Sequence, residues 1–209
     1  MTKSIYDQLN AYGTVAKQRF VENFSGDALD TDRWNTSGTV AMADEVDGGV
    51  NILTGTGSYA SAHINFTLKR QYSATGSRFI SVHRINQAGT LHHNSGVGLV
   101  RENRGDSGGE QAVILTSNAS GWSNWGLRTY ASASSGGSTE GSVATDTSYH
   151  TFEVVLASDV KSYIDGVLDV TRTTTLPTNA LQPCYGLQKI SSGSTPISYN
   201  AVYCEAYNT

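Results

Sequence analysis

Two runs in the last third of the chain limit its fold more than any other stretch. Tyr149-His150-Thr151-Phe152-Glu153-Val154-Val155-Leu156 sets Phe152, Val154 and Leu156 at alternate positions, and Val160-Lys161-Ser162-Tyr163-Ile164 runs into Asp165-Gly166 before Val167-Leu168 resumes. A period of two sends successive side chains to opposite faces of a strand, and Asp-Gly between two such runs is hairpin chemistry. The same alternation fills Ala62-His63-Ile64-Asn65-Phe66-Thr67-Leu68, which puts Ala62, Ile64, Phe66 and Leu68 inward and His63 and Asn65 outward.

Strand-like runs separated by turn residues continue from Val15 to the end. They are expected at 15–24, 38–46, 49–54, 59–68, 78–86, 96–102, 111–117, 125–132, 149–157, 159–165, 167–173, 184–190 and 197–207. Spacing of this kind fits two antiparallel sheets packed face to face. Residues 131–142, rich in Ser and Gly, are expected to form a mobile loop, and 103–110 a second polar loop. With 209 residues, no visible repeat and no linker, the chain is expected to form one sandwich domain over 19–209. A net charge of −4 and scattered Lys and Arg argue against a nucleic-acid partner, and no apolar run is long enough to cross a membrane as a helix.

Residues 1–18 stand apart. Ser4-Ile5-Tyr6-Asp7 has the spacing of a capping box, Ile5, Leu9 and Tyr12 share one helical face, and Gly13 is placed to end the helix. So short a helix needs its apolar stripe docked, either on the chain's own sandwich or on a neighbouring subunit. The first residues also lack the apolar core of an export signal, so synthesis in the cytosol is expected. Cys184 and Cys204 would lie opposite each other if 185–190 and 197–205 form a hairpin. Two buried free thiols are favoured over a bridge for a chain made in the cytosol.

The opening Phe20-Val21-Glu22-Asn23-Phe24, the Leu29-Asp30-Thr31-x-x-Trp34 segment behind it, and the late Tyr163-Ile164-Asp165-Gly166 hairpin together resemble the concanavalin A-like lectin and glucanase superfamily over about residues 19–208. The resemblance implies a concanavalin A-like β-sandwich (jelly roll) with Trp34 in its core. Laminarinase-type members carry Glu-x-Asp-x-Glu, or the same with one more spacer, on a central strand, because retaining hydrolysis needs two nearby carboxylates. The one Glu-x-Asp here, Glu45-Val46-Asp47, runs into Gly48-Gly49 without a second glutamate, and the middle strands carry Glu102 alone. A non-catalytic member is therefore expected. A polysaccharide lyase would draw on His63, His83, His92, His93, Arg84 and Arg101, which no motif orders.

Sugar rings are gripped by aromatic faces with amides, hydroxyls and arginine around them. Trp122-Ser123-Asn124-Trp125 is the best candidate, with Tyr59, His92, Arg101 and Arg128 available to surround it; the competing arrangement has Trp125 pointing into the core and Trp122 covering a loop. No cofactor is expected. Adjacent His92 and His93 cannot easily share a metal; Asp27, Asp30 and Asp32, or Asp44 and Asp47, could contribute to a structural calcium site, although neither set has calcium-loop spacing. Arg104-Gly105-Asp106 and Asn118-Ala119-Ser120 are short matches that loop composition explains. The function expected is a structural or adhesive sandwich on the outside of a large assembly, a phage or viral decoration or tail-type protein touching glycans. A free lectin-like module is the alternative, and a glycosidase or lyase the next.

Overall fold

A computed structural model of the chain describes residues 19–42, 49–57, 60–66, 71–86, 93–101, 111–117, 122–132, 135–189 and 197–209. The helical arm with Ile5, Leu9 and Tyr12 lies outside the described residues, as do the loop 103–110 and the turn at Asp47-Gly48.

The described residues form fifteen strands: β1 (Arg19–Glu22), β2 (Trp34–Ser37), β3 (Thr39–Met42), β4 (Val50–Leu53), β5 (Ser61–Phe66), β6 (Ser77–Ile85), β7 (His93–Val100), β8 (Gln111–Ser117), β9 (Asn124–Ser132), β10 (Ser135–Ala144), β11 (His150–Leu156), β12 (Val160–Ile164), β13 (Val167–Arg172), β14 (Gln182–Lys189) and β15 (Ser198–Asn208). One sheet runs β13-β12-β11-β6-β15-β4-β3, with β1 added beside β15; the other runs β10-β9-β8-β7-β14-β5-β2. Every pairing is antiparallel. The expected two-sheet sandwich is thus the observed one.

Alternation builds the core. Phe152, Val154 and Leu156 of β11 meet Ile64, Leu99, Leu127 and Leu187 of the facing sheet in one apolar cluster. Trp34, 1% exposed, is held among Phe20, Phe24, Phe66 and Tyr185, with its indole N–H donating to Glu22. Asp165 and Gly166 both adopt positive φ, 51° and 80°, as a tight hairpin turn requires. At Gly38, φ is 78° and the chain passes from one sheet to the other. A Cβ there would lie 2.6 Å from the Ser61 carbonyl oxygen.

Three expectations are corrected. Much of the Ser/Gly-rich stretch 131–142 is strand, not loop: 135–144 forms β10 on β9. It is an edge strand whose side chains are mostly exposed, so backbone hydrogen bonds suffice and no apolar pattern marks it. Residues 34–37, without strand-like alternation, pair with β5 through Trp34 and Phe66. The cysteines do not face each other across a hairpin, because β14 and β15 belong to different sheets; both are buried and neither is in a disulfide.

Candidate functional site

The outer face of the seven-stranded sheet is built in rows by the strand register. One row runs Asn35, Asn65, Cys184, Gly98, Val113, Arg128 and Ser138. Beside it lies Gln182, Val100, Gln111, Tyr130 and Gly136, and on the other side Ser37, His63, Gly186, Gly96, Leu115, Gly126 and Glu140. The alternate residues of the same strands, Ile64, Tyr185, Leu99, Ile114 and Leu127, fill the core. The face therefore carries amides, small residues and bare backbone where the inside carries aliphatic groups.

Trp122 covers one end of this face. It is half-buried against Val100, Val113 and Cys184, and its ring lies where a Cβ on Gly126 would be. Tyr130 covers Gly136 in the same manner, and the Arg128 guanidinium is 5.9 Å from the Tyr130 ring centroid. The segment entering β9 is held by Glu140, whose Oε1 accepts the N–H groups of Ser123 (2.9 Å) and Asn124 (3.1 Å), and by Thr145, whose N–H donates to the Ser123 carbonyl (2.9 Å). Trp122 therefore projects from a fixed backbone.

Two buried amides on this face have hydrogen-bonding atoms that the chain leaves unmatched. Gln111, 1% exposed, has neither its Nε2 nor its Oε1 bonded, and Asn65, 3% exposed, leaves its Oδ1 unbonded. Most buried polar atoms are paired, because leaving one unpaired costs about 1–3 kcal/mol. Unmatched amides on one sheet face are the feature that a hydroxyl-rich ligand would complement.

The expected site residues separate. Trp122 and Arg128 lie on this face, and Arg101, half-buried, follows β7 directly. Trp125 does not join them: it is fully buried against His83 and Phe152, which removes it as a stacking platform. Residue 125 is odd-numbered on a strand whose even positions face out, and that parity decided between the two arrangements open in the sequence. Tyr59 and His92 lie outside the described residues. Gln111 and Gln182 were missed, although Gln111 alternates with Ala112 and Ile114, and that pattern was available to find it.

Carboxylates are scarce on this face. Among its described residues the one acid is Glu140, already committed to two backbone N–H groups. Glu45, Asp47 and Glu102 lie outside the described residues. No group of three or more His, Cys, Asp or Glu side chains is placed to hold a metal among the described residues.

Inside the sandwich, His83 is fully buried and stacked 4.1 Å from Phe152. Its Nδ1 is 2.9 Å from Ser81 Oγ, which is 2.6 Å from the Tyr185 hydroxyl. Burial, aided by His150 nearby, lowers the His83 pKa to about 3, and burial raises those of Tyr185 and Cys204 well above their usual values. This is a neutral polar thread through an apolar core.

No family model and no curated protein matches the sequence. Solved structures do. A beta-glucanase from Bacillus licheniformis superposes with a TM-score of 0.65 at 15% identity, covering 93% of this chain and 99% of that one. A beta-1,3-glucanase from Mycobacterium marinum gives 0.64 at 14% identity over 90% and 97%. The carbohydrate recognition domain of Emp47p gives 0.64 at 11% identity over 91% and 94%. Enzymes and a lectin domain thus share one scaffold with this chain, and at such identities the likeness carries the fold rather than the activity. By the order of its sheets and by these likenesses, the chain has the concanavalin A-like jelly-roll fold common to glucanases and lectins.

Proposed function

We propose that this protein is a glycan-binding jelly-roll module that grips without cutting, through the outer face of its seven-stranded sheet. The observation that carries this reading is what one face holds: the Trp122 ring laid over Gly126 towards one end, and the unmatched amides of Gln111 and Asn65 further along it. From β5, which bears His63 and Asn65, to β9, which bears Gly126 and Arg128, is four strand spacings, about 19 Å. A strip of that length suits a chain of several sugar rings. Trp122 would stack on one ring, the amides would bridge hydroxyl pairs, and Gly96, Gly98 and Gly186 would leave the backbone open beneath. The relatives named as glucanases and as a carbohydrate recognition domain support sugar as the ligand class.

The absence of cleavage rests on Glu140. Retaining hydrolysis needs two carboxyl groups about 5–5.5 Å apart, and inverting hydrolysis needs them about 6.5–9.5 Å apart. Glu140 has no acid beside it among the described residues of the face. The test is a glycan array with reducing-sugar release measured on the glycans retained. Binding without release is expected, and Trp122→Ala should weaken it roughly tenfold or more, as the loss of one stacking contact implies. Release of sugar would overturn the non-catalytic part, and an array without a single bound glycan would overturn the whole.

Display of this module on the outside of a phage or viral particle is the setting we infer, supported by the apolar stripe Ile5, Leu9 and Tyr12, which needs a docking partner. Light scattering of the full chain against a version starting at Lys17 tests it. Loss of self-association or of particle binding on removing the arm is expected, and identical behaviour would overturn it.

A further inference from the structure

His150 begins β11 on the inner side of its sheet. There the segment after β10, the Asp165-Gly166 turn and the start of β9 come together. Its Nδ1 is 2.6 Å from Asp165 Oδ2 and its Nε2 is 3.0 Å from Asp146 Oδ1. A neutral imidazole has one N–H and one lone pair, so either tautomer would set a lone pair against a carboxylate oxygen at one of these contacts. Only the imidazolium donates to both. The remaining neighbours are uncharged: the Trp125 ring of β9 at 6.5 Å, Phe152 at 5.9 Å, and His83 of β6, which burial keeps neutral. The Arg84 guanidinium, from the residue after His83, lies over the ring of Tyr149, the residue before His150, at 4.7 Å.

The two carboxylates are not held equally. Asp165 also accepts the Thr151 N–H through Oδ1 at 2.9 Å, fixing it to β11. Asp146, apart from His150, is tied among the described residues to its own loop, accepting the Ser148 N–H. A histidine that loses one proton keeps the shorter bond to Asp165 and turns a lone pair toward Asp146. The loop of Asp146 is also the loop of Thr145, whose N–H holds Ser123 next to Trp122.

We propose that His150 is a proton-operated latch: charged, it binds the 145–149 loop to the 165–166 turn and so steadies the segment that carries Trp122; neutral, it releases that loop. Its effect on ligand affinity rests on the glycan-binding reading above, whereas the latch itself does not. Burial of His150 disfavours its charge, yet the two carboxylates outweigh burial and its pKa is raised. Asp146, through the Ser148 N–H first, and Asp165, where burial is outweighed by the His150 bond and the Thr151 N–H together, are both lowered. Both acids therefore stay charged while the histidine titrates. The latch is closed below the ordinary histidine range near pH 6.5 and opens as pH rises through the higher value in the folded chain.

The test uses NMR on the full chain without any glycan: the His150 ring nitrogens, the Trp122 indole resonance and amide exchange at Thr145 are followed from pH 5 to 9. Expected are a His150 midpoint above that of free histidine, a Trp122 shift with the same midpoint, and a tenfold or larger rise in Thr145 exchange beyond intrinsic base catalysis. Val154, in the core, should show no such step. Asp146→Asn should lower the His150 midpoint and leave Thr145 fast at every pH, and His150→Gln should remove the step. A His150 midpoint at or below that of free histidine, or flat Thr145 exchange through the titration, would overturn the latch. A Trp122 resonance that ignores the His150 midpoint would overturn its link to the binding face. None of these readings needs a bound sugar, so the latch can fail while the glycan reading stands, and the reverse.

Discussion

His83 sits where a proton cannot follow it. Phe152 stacks on the ring, Trp125, Tyr185 and Tyr199 meet it edge-on, and its Nδ1 bonds Ser81. In the folded chain its pKa is about 3, against about 6.5 unfolded. Between those values the unfolded chain binds a proton that the folded chain does not, so stability falls as pH drops through that window, by up to about 1.4 kcal/mol per pH unit. Urea midpoints measured from pH 7 down to pH 4 should decline, and His83→Gln should flatten much of that decline. His150 acts in the opposite sense: its raised pKa adds stability that is complete below pH 6.5 and lost above. One histidine charged at the end of the sandwich and one neutral at its centre thus narrow the pH range of greatest stability from both sides. The alternation 62–68 marked His63 as outward, but nothing in the sequence distinguished the environments of His83 and His150: the first is set by Trp125, Phe152, Tyr185 and Tyr199 from other strands, the second by a loop before it and a hairpin turn 15 positions on.

Among the elements, β10 was the least legible, and its attachments explain why. Beyond its backbone pairing with β9, it is held by side chains that lie elsewhere in the chain. Arg172 of β13 reaches across the sandwich, donating to Thr129 of β9 (2.8 Å), Thr139 of β10 (2.7 Å) and Thr175 (3.2 Å), while Asp169 accepts from Ser142 at 2.7 Å. Gly136 leaves room for the Tyr130 ring, and Gly141 for the Asp169 carboxylate. A Ser/Gly-rich edge strand has no hydrophobic period to display, so composition alone pointed to a loop. Hairpins that bury an apolar face, such as β11-β12 and β12-β13, were legible to within a residue or two because burial writes the period into the sequence. Arg172→Met keeps the stem and removes three charge-assisted hydrogen bonds. It should cost about 2–3 kcal/mol and speed amide exchange along β10 more than along β11. Equal protection of β10 in both proteins would show that β9 pairing alone holds the strand.

For the molecule as a whole, the chain closes on itself: β1 pairs with β15, Arg19 opposite Tyr207 and Glu22 opposite Cys204. Contacts so distant in sequence carry the full entropy of loop closure, and folding is expected on the millisecond-to-second scale of all-β domains. Docking of β1 needs β15 already in place beside β6, so it belongs late in folding. Phe20→Ala should therefore destabilise by about 3 kcal/mol, acting mainly by faster unfolding with little change in the folding rate. Stopped-flow kinetics over urea would check it, and a slowed folding limb would place β1 in the nucleus instead. The two-sheet architecture was legible from the Phe20–Trp34 opening and the Ile164-Asp165-Gly166 hairpin, since both depend on local pattern. The proposed binding face was only half legible: Trp122 announces itself, whereas Gln111 and Asn65 share a face only once β8 and β5 have been assigned to one sheet.

The separation of Cys184 and Cys204 has a consequence for handling the protein. One thiol lies beneath Trp122 on the outer face of its sheet and the other within the core beside Tyr185, each on a strand of a different layer. No cross-link has to form on the way to the native state, and one formed between the two thiols in the unfolded chain would have to be broken first. Refolding in dithiothreitol should therefore recover the native melting curve, whereas unfolding in air before refolding should lower the yield.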